Sequence, residues 1–522
     1  MRWASTPMDR TQVLLFYPTL EAMIPEDHPV RLFDEILNVC DWSSWEGEYC
    51  LVAGQPPIHP KPLAAVILYG LSLRIRSSRV LERMCTNSID FMWLVYGRRI
   101  DHSTFCKFRT RFRQQLKTLF RDLFRVAMSL GLAHLNTVAL DGTRVRANSS
   151  RYATASAETI EACLVELDGQ VEQMLRESDN ADVAEGDLFG EGSANQLPGK
   201  LANAQRRQER LAKALAAAKK KDAADSGAKT KSPRGCAVPV ADPDSTVQPD
   251  KDGGYAPNYT PVVTAEGHGG FIADTEVLAG PEQPDQAVAA VDRVAANFEE
   301  EPNRLLGDSA YDSGETLAEL SSRDVEPFIP LQQRPNPADN PAWREDLTQP
   351  VGETDWPKLP QNVKTKKLDR SAFVYDTSSD CYYCPMGRKL SFWYVQNKPR
   401  RTGSVAYRVY RCECCEGCEL RAQCVSSKAG HRTVSRDEYE RHREAMDARL
   451  GTSQGRKLYG RRKWIGETPF AVLKDLLGLR QFLLRGLEKV KAEWLWACTA
   501  FNLSKLVREV SRIRTNLATL IG

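Results

Sequence analysis

The chain has 522 residues, 42% hydrophobic and 27% charged, with a formal net charge of +3, an ordinary globular makeup with length for about two to four domains. It has no apolar run of the roughly eighteen residues that a membrane helix needs, and Met1-Arg-Trp-Ala-Ser-Thr-Pro7 lacks the apolar core of a secretory signal, so a cytoplasmic protein without a membrane partner is expected. Seven of the 14 Cys fall between Cys381 and Cys424, and in a reducing compartment such a cluster favours a metal over disulfides.

Residues 1 to about 130 read as helical. Pro60 and Pro62 lead into a compact apolar helix through Leu71, Ser77 or Ser78 and then Ser88 are placed to cap the next two, and Ser103 to cap a fourth. In that fourth helix Phe105, Phe108 and Phe112 share one apolar face, and Lys107, Arg109, Arg111 and Arg113 lie largely off it. From Gly97 to Arg125 there are nine Lys or Arg against two acids. Short helices with a polar turn before a basic amphipathic helix predict a helix-turn-helix-like DNA-binding domain, the alternative being a solvated basic helix on a generic bundle.

The stretch Thr137-Val-Ala-Leu-Asp-Gly-Thr-Arg-Val-Arg-Ala147 predicts a strand, a tight turn at Gly142 and a second strand, with Asp141 where the first strand breaks toward solvent. A turn-capping role for Asp141 is the plainer reading. A helical hairpin is expected over about 155–250, from the stepped Ile160, Leu164, Leu167, Val171 and Met174 and an Ala-rich helix around Leu201 to Lys221. It has an acidic connection (Glu185 to Glu191), a solvated tip at Lys219 to Lys221, and a loop from Asp222 to Asp250. Tyr259 to Thr264 and Phe271 to Leu278 are β-rich and split by Gly267-His-Gly-Gly270. The alternation of strand and helix that follows, through Arg304 to Asp308 and Val325 to Ile329, predicts a parallel sheet. Its carboxyl ends would carry Asp141 and Asp308, with Asp312 the local rival.

Beyond a Pro-rich connector (Gln332 to Pro360) and the Cys segment, Gly455 to Leu477 and Glu488 to Val510 are long helical runs. In the first, Lys463, Glu467 and Lys474 share a helical face, and Pro469 marks a bend or a late start. Asp141, Asp308 and Glu467 brought together would hold two divalent ions about 4 Å apart, Mg²⁺ or Mn²⁺ by the hardness of carboxylate oxygen. Tyr459, Arg462, Lys463 and Lys474 would meet phosphates around the scissile bond.

Leu140-Asp-Gly-Thr-Arg-Val-Arg-Ala-Asn148, Gly307-Asp-Ser-Ala-Tyr311 and the Tyr, Arg, Glu, Lys helix at 459 to 474 resemble the DDE transposases of bacterial insertion sequences. His102-Ser-Thr-Phe105 and Phe108-Arg109 in a helical amino-terminal domain are similar too. The resemblance implies a ribonuclease-H-like core, a metal-binding triad of Asp141, Asp308 and Glu467, and transposon-end contacts from Tyr459 and Lys474. The family's basic position falls three after Tyr and four before Glu. Arg462 meets the first spacing and Lys463 the second, so both stay open.

Cys381-Tyr-Tyr-Cys384 and Cys412-Glu-Cys-Cys-Glu-Gly-Cys418, then Cys424, have the pairing of a closed, structural Zn²⁺ site. The expected set is Cys384, Cys415, Cys418 and Cys424, with Cys381 and Cys412 as alternates. Similar transposases carry Cys-rich insertions at this place, with a DNA-contacting or scaffolding role.

The expected fold is multidomain α/β. It has a helical DNA-binding domain (1–130), a ribonuclease-H-like mixed sheet (131–330), a connector with a Cys-rich zinc insertion (331–435), and carboxy-terminal helices completing the core (436–522). The expected activity is binding of terminal inverted repeats, cleavage, and strand transfer to target DNA, by a homo-oligomer on double-stranded DNA. The alternatives are a ribonuclease-H-like nuclease that cuts without joining and a DNA-binding regulator whose acids are structural.

Overall fold

The computed structural model describes residues 19–49, 56–189, 199–225, 237–250, 253–331, 340–362, 365–400, 403–426 and 430–521. The amino-terminal stretch read for a signal lies outside the described residues, as do the end of the Glu185–Glu191 connection, the middle of Asp222–Asp250 and part of the Pro-rich connector. No helix among the described residues is long and apolar enough to cross a membrane.

The first helices are α1 (Leu20–Met23), α2 (Pro29–Asn38), α3 (Ser43–Glu46), α4 (Pro60–Ser72), α5 (Ser78–Asn87), α6 (Ile89–Leu94), α7 (His102–Arg111) and α8 (Arg113–Ser129). Pro60 starts α4 where a missing N–H costs nothing, and His59 Nδ1 accepts from Lys61 N at 3.2 Å as its cap. The cap of α7 is Asp101 rather than Ser103: its Oδ1 accepts from the Ser103 N–H at 2.7 Å. Phe105, Phe108 and Phe112 are buried, as their spacing predicts. Phe108 and Phe112 stack on Trp45 with ring centroids 5.5 and 5.2 Å away.

The main sheet is built from β1 (Thr137–Gly142), β2 (Val145–Arg146), β5 (Thr246–Pro249), β6 (Tyr255–Glu266), β7 (Ile272–Leu278), β8 (Arg304–Leu306) and β9 (Glu326–Phe328). The short pair β3 (Thr154–Ala155) and β4 (Val238–Pro239) flanks a helical hairpin, α9 (Ala157–Phe189) and α10 (Gly199–Asp225). Ile160, Leu167 and Val171 bury there against Leu211 and Ala214. The stretch read as a loop to Asp250 thus contains β4 and β5. The buried Asp242 between them accepts from the Tyr259 hydroxyl at 2.8 Å and from Gly486 N at 3.0 Å.

The sheet is mixed, not parallel. β6 pairs antiparallel with β1 and β7, whereas β8 and β9 run parallel to β1. The Gly-rich segment after β6 makes a hairpin, which returns β7 antiparallel, and Gly270 takes φ +77° in it. Only the later strands are joined by crossover helices, α11 (Gln286–Phe298) and α12 (Gly314–Ser322), which force parallel pairing.

Nor do β1 and β2 form a hairpin. Gly142 pairs with Val262 and Val145 with Tyr259, one unbroken register along the same edge of β6. Thr143 N donates to Pro261 O at 2.9 Å between them. Gly142 therefore lies on a continuing strand line, not in a turn.

A second, antiparallel sheet has the order β10 (Val374–Asp376), β11 (Cys381–Tyr383), β12 (Lys389–Arg400), β13 (Gly403–Cys412), β14 (Thr433–Asp437), with the short helix α13 (Arg421–Cys424) beside it. It has its own apolar core around Phe373, Tyr382, Leu390 and Tyr410. The chain returns to the main sheet through α14 (Glu440–Gly451) and α15 (Ser453–Ala471), a π-helical turn (Val472–Leu476), and α16 (Leu487–Ile521). Pro469 sits inside α15 and neither starts nor ends it. The π turn that follows three residues on is a common irregularity at functional sites.

α16 packs against α2, α4, α7, α8 and β7. Its Trp496 ring lies 6.3 Å from Trp45, and its indole N–H donates to Arg109 O at 3.1 Å. The amino-terminal helices, main sheet and carboxy-terminal helices consequently share one continuous apolar core.

Candidate active site

β1 lies between β6 and β8, with Val138, Ala139 and Leu140 fully buried, so the strand is fixed from both sides. Ala139 pairs with Leu306, so Asp141 and Asp308 each lie two residues beyond a matched pair on adjacent parallel strands. Asp308 caps the 3₁₀ turn Ser309–Tyr311, with Oδ1 accepting from Ala310 N at 2.8 Å. α15 packs on β1 and β6. Gly466 makes that approach possible, because a Cβ there would stand 3.0 Å from Asp141 Cβ.

Just over two turns of α15 place Tyr459, Arg462 and Glu467 around the strand ends. Burial pushes the Asp141 carboxyl up to about 6; the Arg462 guanidinium opposes this, and the charges of Asp308 and Glu467 add to it. The three acids predicted from the sequence thus share one electrostatic site. Their oxygens do not all come within 4.8 Å of one another. Asp312 closes the 3₁₀ turn that Asp308 opens.

Of the two basic residues left open, Arg462 faces the site: Nη1 stands 3.6 Å from Asp141 Oδ1, and its guanidinium carbon lies 5.9 Å from the Tyr459 ring centroid. Lys463 is exposed on the outer side of α15. The Tyr459 hydroxyl is raised by burial and feels Arg462, Asp308 and Asp141. Lys474, on the π turn, is already engaged. Its Nζ donates to Thr143 Oγ1 at 2.5 Å and to Arg144 O at 2.8 Å, bracing the strand line that carries Asp141.

Sequence reasoning missed two residues here. Glu282, in the connector between β7 and α11, has its carboxyl raised to about 7 by burial and by Asp308 and Asp141. Tyr311, fully buried, directs its hydroxyl toward Glu282 without reaching hydrogen-bond geometry. Gly307-Asp-Ser-Ala-Tyr311 contained the second as a motif letter. The signal for the first was an acid between two prolines where a strand hands over to a helix.

The four cations assigned to DNA in the amino-terminal region divide otherwise. Arg109 Nη1 donates to Arg76 O at 2.7 Å inside the fold, Arg111 donates to Glu48 O and covers the Tyr49 ring at 5.2 Å, and Arg113 pairs with Glu488. Lys107 and Arg111 are both exposed and without an ion pair among the described residues, but the Arg111 guanidinium is held by Glu48 O and the Tyr49 ring, which leaves Lys107 the one best placed to meet solvent. Arg76 likewise reaches Gly478 O at 2.8 Å, Gln481 O at 2.7 Å and the Glu493 carboxylate at 2.7 Å. Arg113, and Arg76 beside Arg109, thus tie the amino-terminal helices to the carboxy-terminal segment.

In the second sheet Cys384, Cys412, Cys415, Cys418 and Cys424 line one cavity with Arg388 and Arg432. Cys384 Sγ accepts from Arg388 N and Cys415 Sγ from Arg432 N, both at 3.4 Å. Cys381 is not among them, because strand alternation turns it to the other face of β11, toward Tyr383 and Lys389. The sulfurs are not drawn to ligand spacing. The group that does fall within 4.8 Å among the described residues is Glu82, Asp101 and His102, which the α7 cap and its ion pairs account for.

Residues 383–507 match the family described as Transposase DDE domain, and residues 18–111 match the family described as Transposase domain (DUF772). The first match covers most of the second sheet, Tyr459, Arg462, Glu467 and Lys474. Asp141, Glu282 and Asp308 lie outside both. No curated protein matches the chain.

Proposed function

Because the chain belongs to the DDE transposases of insertion sequences, we propose that it binds the terminal inverted repeats of its own element, cleaves there and joins the ends to target DNA. The observation that carries the reading is the convergence of Asp141, Asp308 and Glu467, from two parallel strand ends and one helix, on a site where each acid's charge reaches Asp141. The main sheet supports it: three antiparallel strands (β7, β6, β1) followed by two parallel to the third (β8, β9) is a ribonuclease-H-like order.

The residues present fit a hard divalent ion, since the charges of Asp308 and Glu467 reach the half-buried Asp141 carboxylate with one guanidinium to oppose them. Asp141, Asp308 and Glu467 would hold Mg²⁺ or Mn²⁺. A pair of such ions, when bound, supplies activation of a water or 3′-hydroxyl nucleophile and stabilisation of the leaving oxygen. The protein fixes the carboxylates rigidly: β1 is paired on both sides, the 3₁₀ turn orients Asp308, and Lys474 braces Thr143. Tyr459 and Lys463 contact the DNA backbone, and Arg462 holds Asp141 until substrate arrives.

The β12–β13 hairpin adds a second DNA-facing surface. Its Phe392, Trp393 and Tyr394 are exposed, with Arg408 4.5 Å over Phe392 and Arg411 4.8 Å over Trp393, a combination suited to bases and phosphates. For zinc, the proposed ligands are Cys384, Cys415, Cys418 and Cys424, with Cys412 as the alternate. The cavity they line and the N–H donors to Cys384 and Cys415 support a closed scaffold site for this sheet. Two ends must be held together, so a homo-oligomer forms on DNA.

The test is strand cleavage and joining on labelled DNA carrying the element's own ends, with Mg²⁺, with EDTA, and with Asp308→Asn. Joining that needs the metal and is lost in the variant supports the reading. Cleavage without joining identifies a nuclease, and specific binding without chemistry a DNA-binding regulator.

A further inference from the structure

We propose that Glu282 supplies a fourth carboxylate for divalent-cation binding at the Asp141–Asp308 site. The inference rests on the metal-dependent reading above and adds a ligand that neither family match reaches.

Its first support is steric. A Cβ added at residue 142 would overlap Oε1 and Cδ of Glu282. The carboxylate is therefore seated directly against the main chain next to Asp141. Gly142 has no positive φ and no turn to make, as its unbroken pairing with Val262 shows. Its missing side chain is explained by the group that occupies the space.

The second support is how Glu282 is presented. The segment Gly280-Pro-Glu-Gln-Pro284 carries proline on both sides of the Glu282–Gln283 pair, which fixes φ at two positions and restricts the residue before each. Pro284 O accepts from the Thr316 hydroxyl at 3.1 Å, pinning the segment to α12. A long acidic side chain held by a stiff, anchored connector loses little further entropy when it takes up a ligand.

The third support is an unmet donor. Tyr311 is fully buried, its hydroxyl has no hydrogen-bond partner, and it is directed toward Glu282 from the turn that begins at Asp308. The charges of Asp308 and Asp141 reach Glu282 and that of Asp308 reaches Asp141, opposed by Arg462 at Asp141 and by Arg144 at Glu282. Clustered carboxylates with so little cationic compensation are stabilised by a bound cation of charge two. The Tyr311 hydroxyl is then placed to orient the Glu282 carboxylate, as outer hydrogen bonds orient metal ligands.

The test is Mn²⁺ binding to the full-length protein without DNA, followed by electron paramagnetic resonance, for the wild type, Asp308→Asn, Glu282→Gln and Gly142→Ala. Each variant's thermal unfolding is measured alongside. Glu282→Gln keeps the shape and removes the charge, and Gly142→Ala displaces the carboxylate and keeps the charge. Both are expected to weaken Mn²⁺ about 10- to 100-fold, with unfolding midpoints close to wild type. Binding lost in Asp308→Asn but unchanged in Glu282→Gln would overturn the inference and leave the reading beneath it standing. Binding unchanged in Asp308→Asn would overturn both.

Discussion

The guanidinium of Arg462 stands 3.6 Å from the Asp141 carboxylate, whereas its neighbour Lys463 is turned to the outer face of the same helix. The two cations therefore have separable roles. Arg462→Ala is expected to reduce cleavage about 100-fold, the scale for losing one charged group at a reacting centre, with DNA affinity little changed. Lys463→Ala is expected to leave single-turnover cleavage intact at saturating protein and to lower the salt slope of DNA binding by about 0.9. Single-turnover rates and salt titrations on one labelled end separate them.

A similar division holds for the amino-terminal helices. Lys107→Ala should weaken DNA binding evenly across sequences and reduce its salt dependence. Arg109→Ala should instead destabilise the fold by about 1–3 kcal/mol, because the Arg76 carbonyl loses its buried partner. Denaturant midpoints read alongside DNA binding check both.

Gly466 sets the distance between α15 and the strand of Asp141. Gly466→Ala puts a Cβ 3.0 Å from Asp141 Cβ, so the helix must give by a few tenths of an ångström and carry Glu467 with it. The chemical step is expected to slow about 10- to 100-fold. Helix propensity favours Ala by about 1 kcal/mol, so stability should fall little. A parallel fall in stability and rate, seen in thermal unfolding, would contradict this.

Burial pushes the thiols of Cys412 and Cys424 up to about 12. Thiolate is the reactive form, so at pH 8 only about one in ten thousand of each is ionised. In metal-free protein, iodoacetamide should label the exposed Cys106 and Cys414 well before these two. Mass spectrometry of a time course measures the order. Bound zinc would appear as metal released in step with Cys384, Cys415, Cys418 and Cys424 modification.

How much of this was legible in the sequence depended on the range of the interaction. The Phe105, Phe108 and Phe112 face, the helical hairpin, and the three acids all follow from local pattern, and each acquires the neighbours its setting implied. What pattern could not supply was the use of a charge at long range. Arg76 and Arg113 look solvated in a window of twenty residues, yet their partners are Gly478, Glu493 and Glu488, several hundred residues on. Asp-Gly at 141 and 142 resembled a turn because glycine serves both turns and close approaches, and only Glu282 tells which. The pairing direction of β6 and β7 likewise rested on a Gly-rich hairpin that a count of alternating elements overlooks.

The most direct measurement is single-turnover cleavage of a labelled transposon end in Mg²⁺ by Asp141→Asn, Asp308→Asn and Glu467→Gln, with DNA binding quantified in the same samples. The account predicts that each variant still binds the end and that each loses cleavage by at least about 1,000-fold, the scale expected when one member of a catalytic unit is removed. Near wild-type cleavage by any one of the three, with DNA binding intact, would contradict the claim that these carboxylates act as one site.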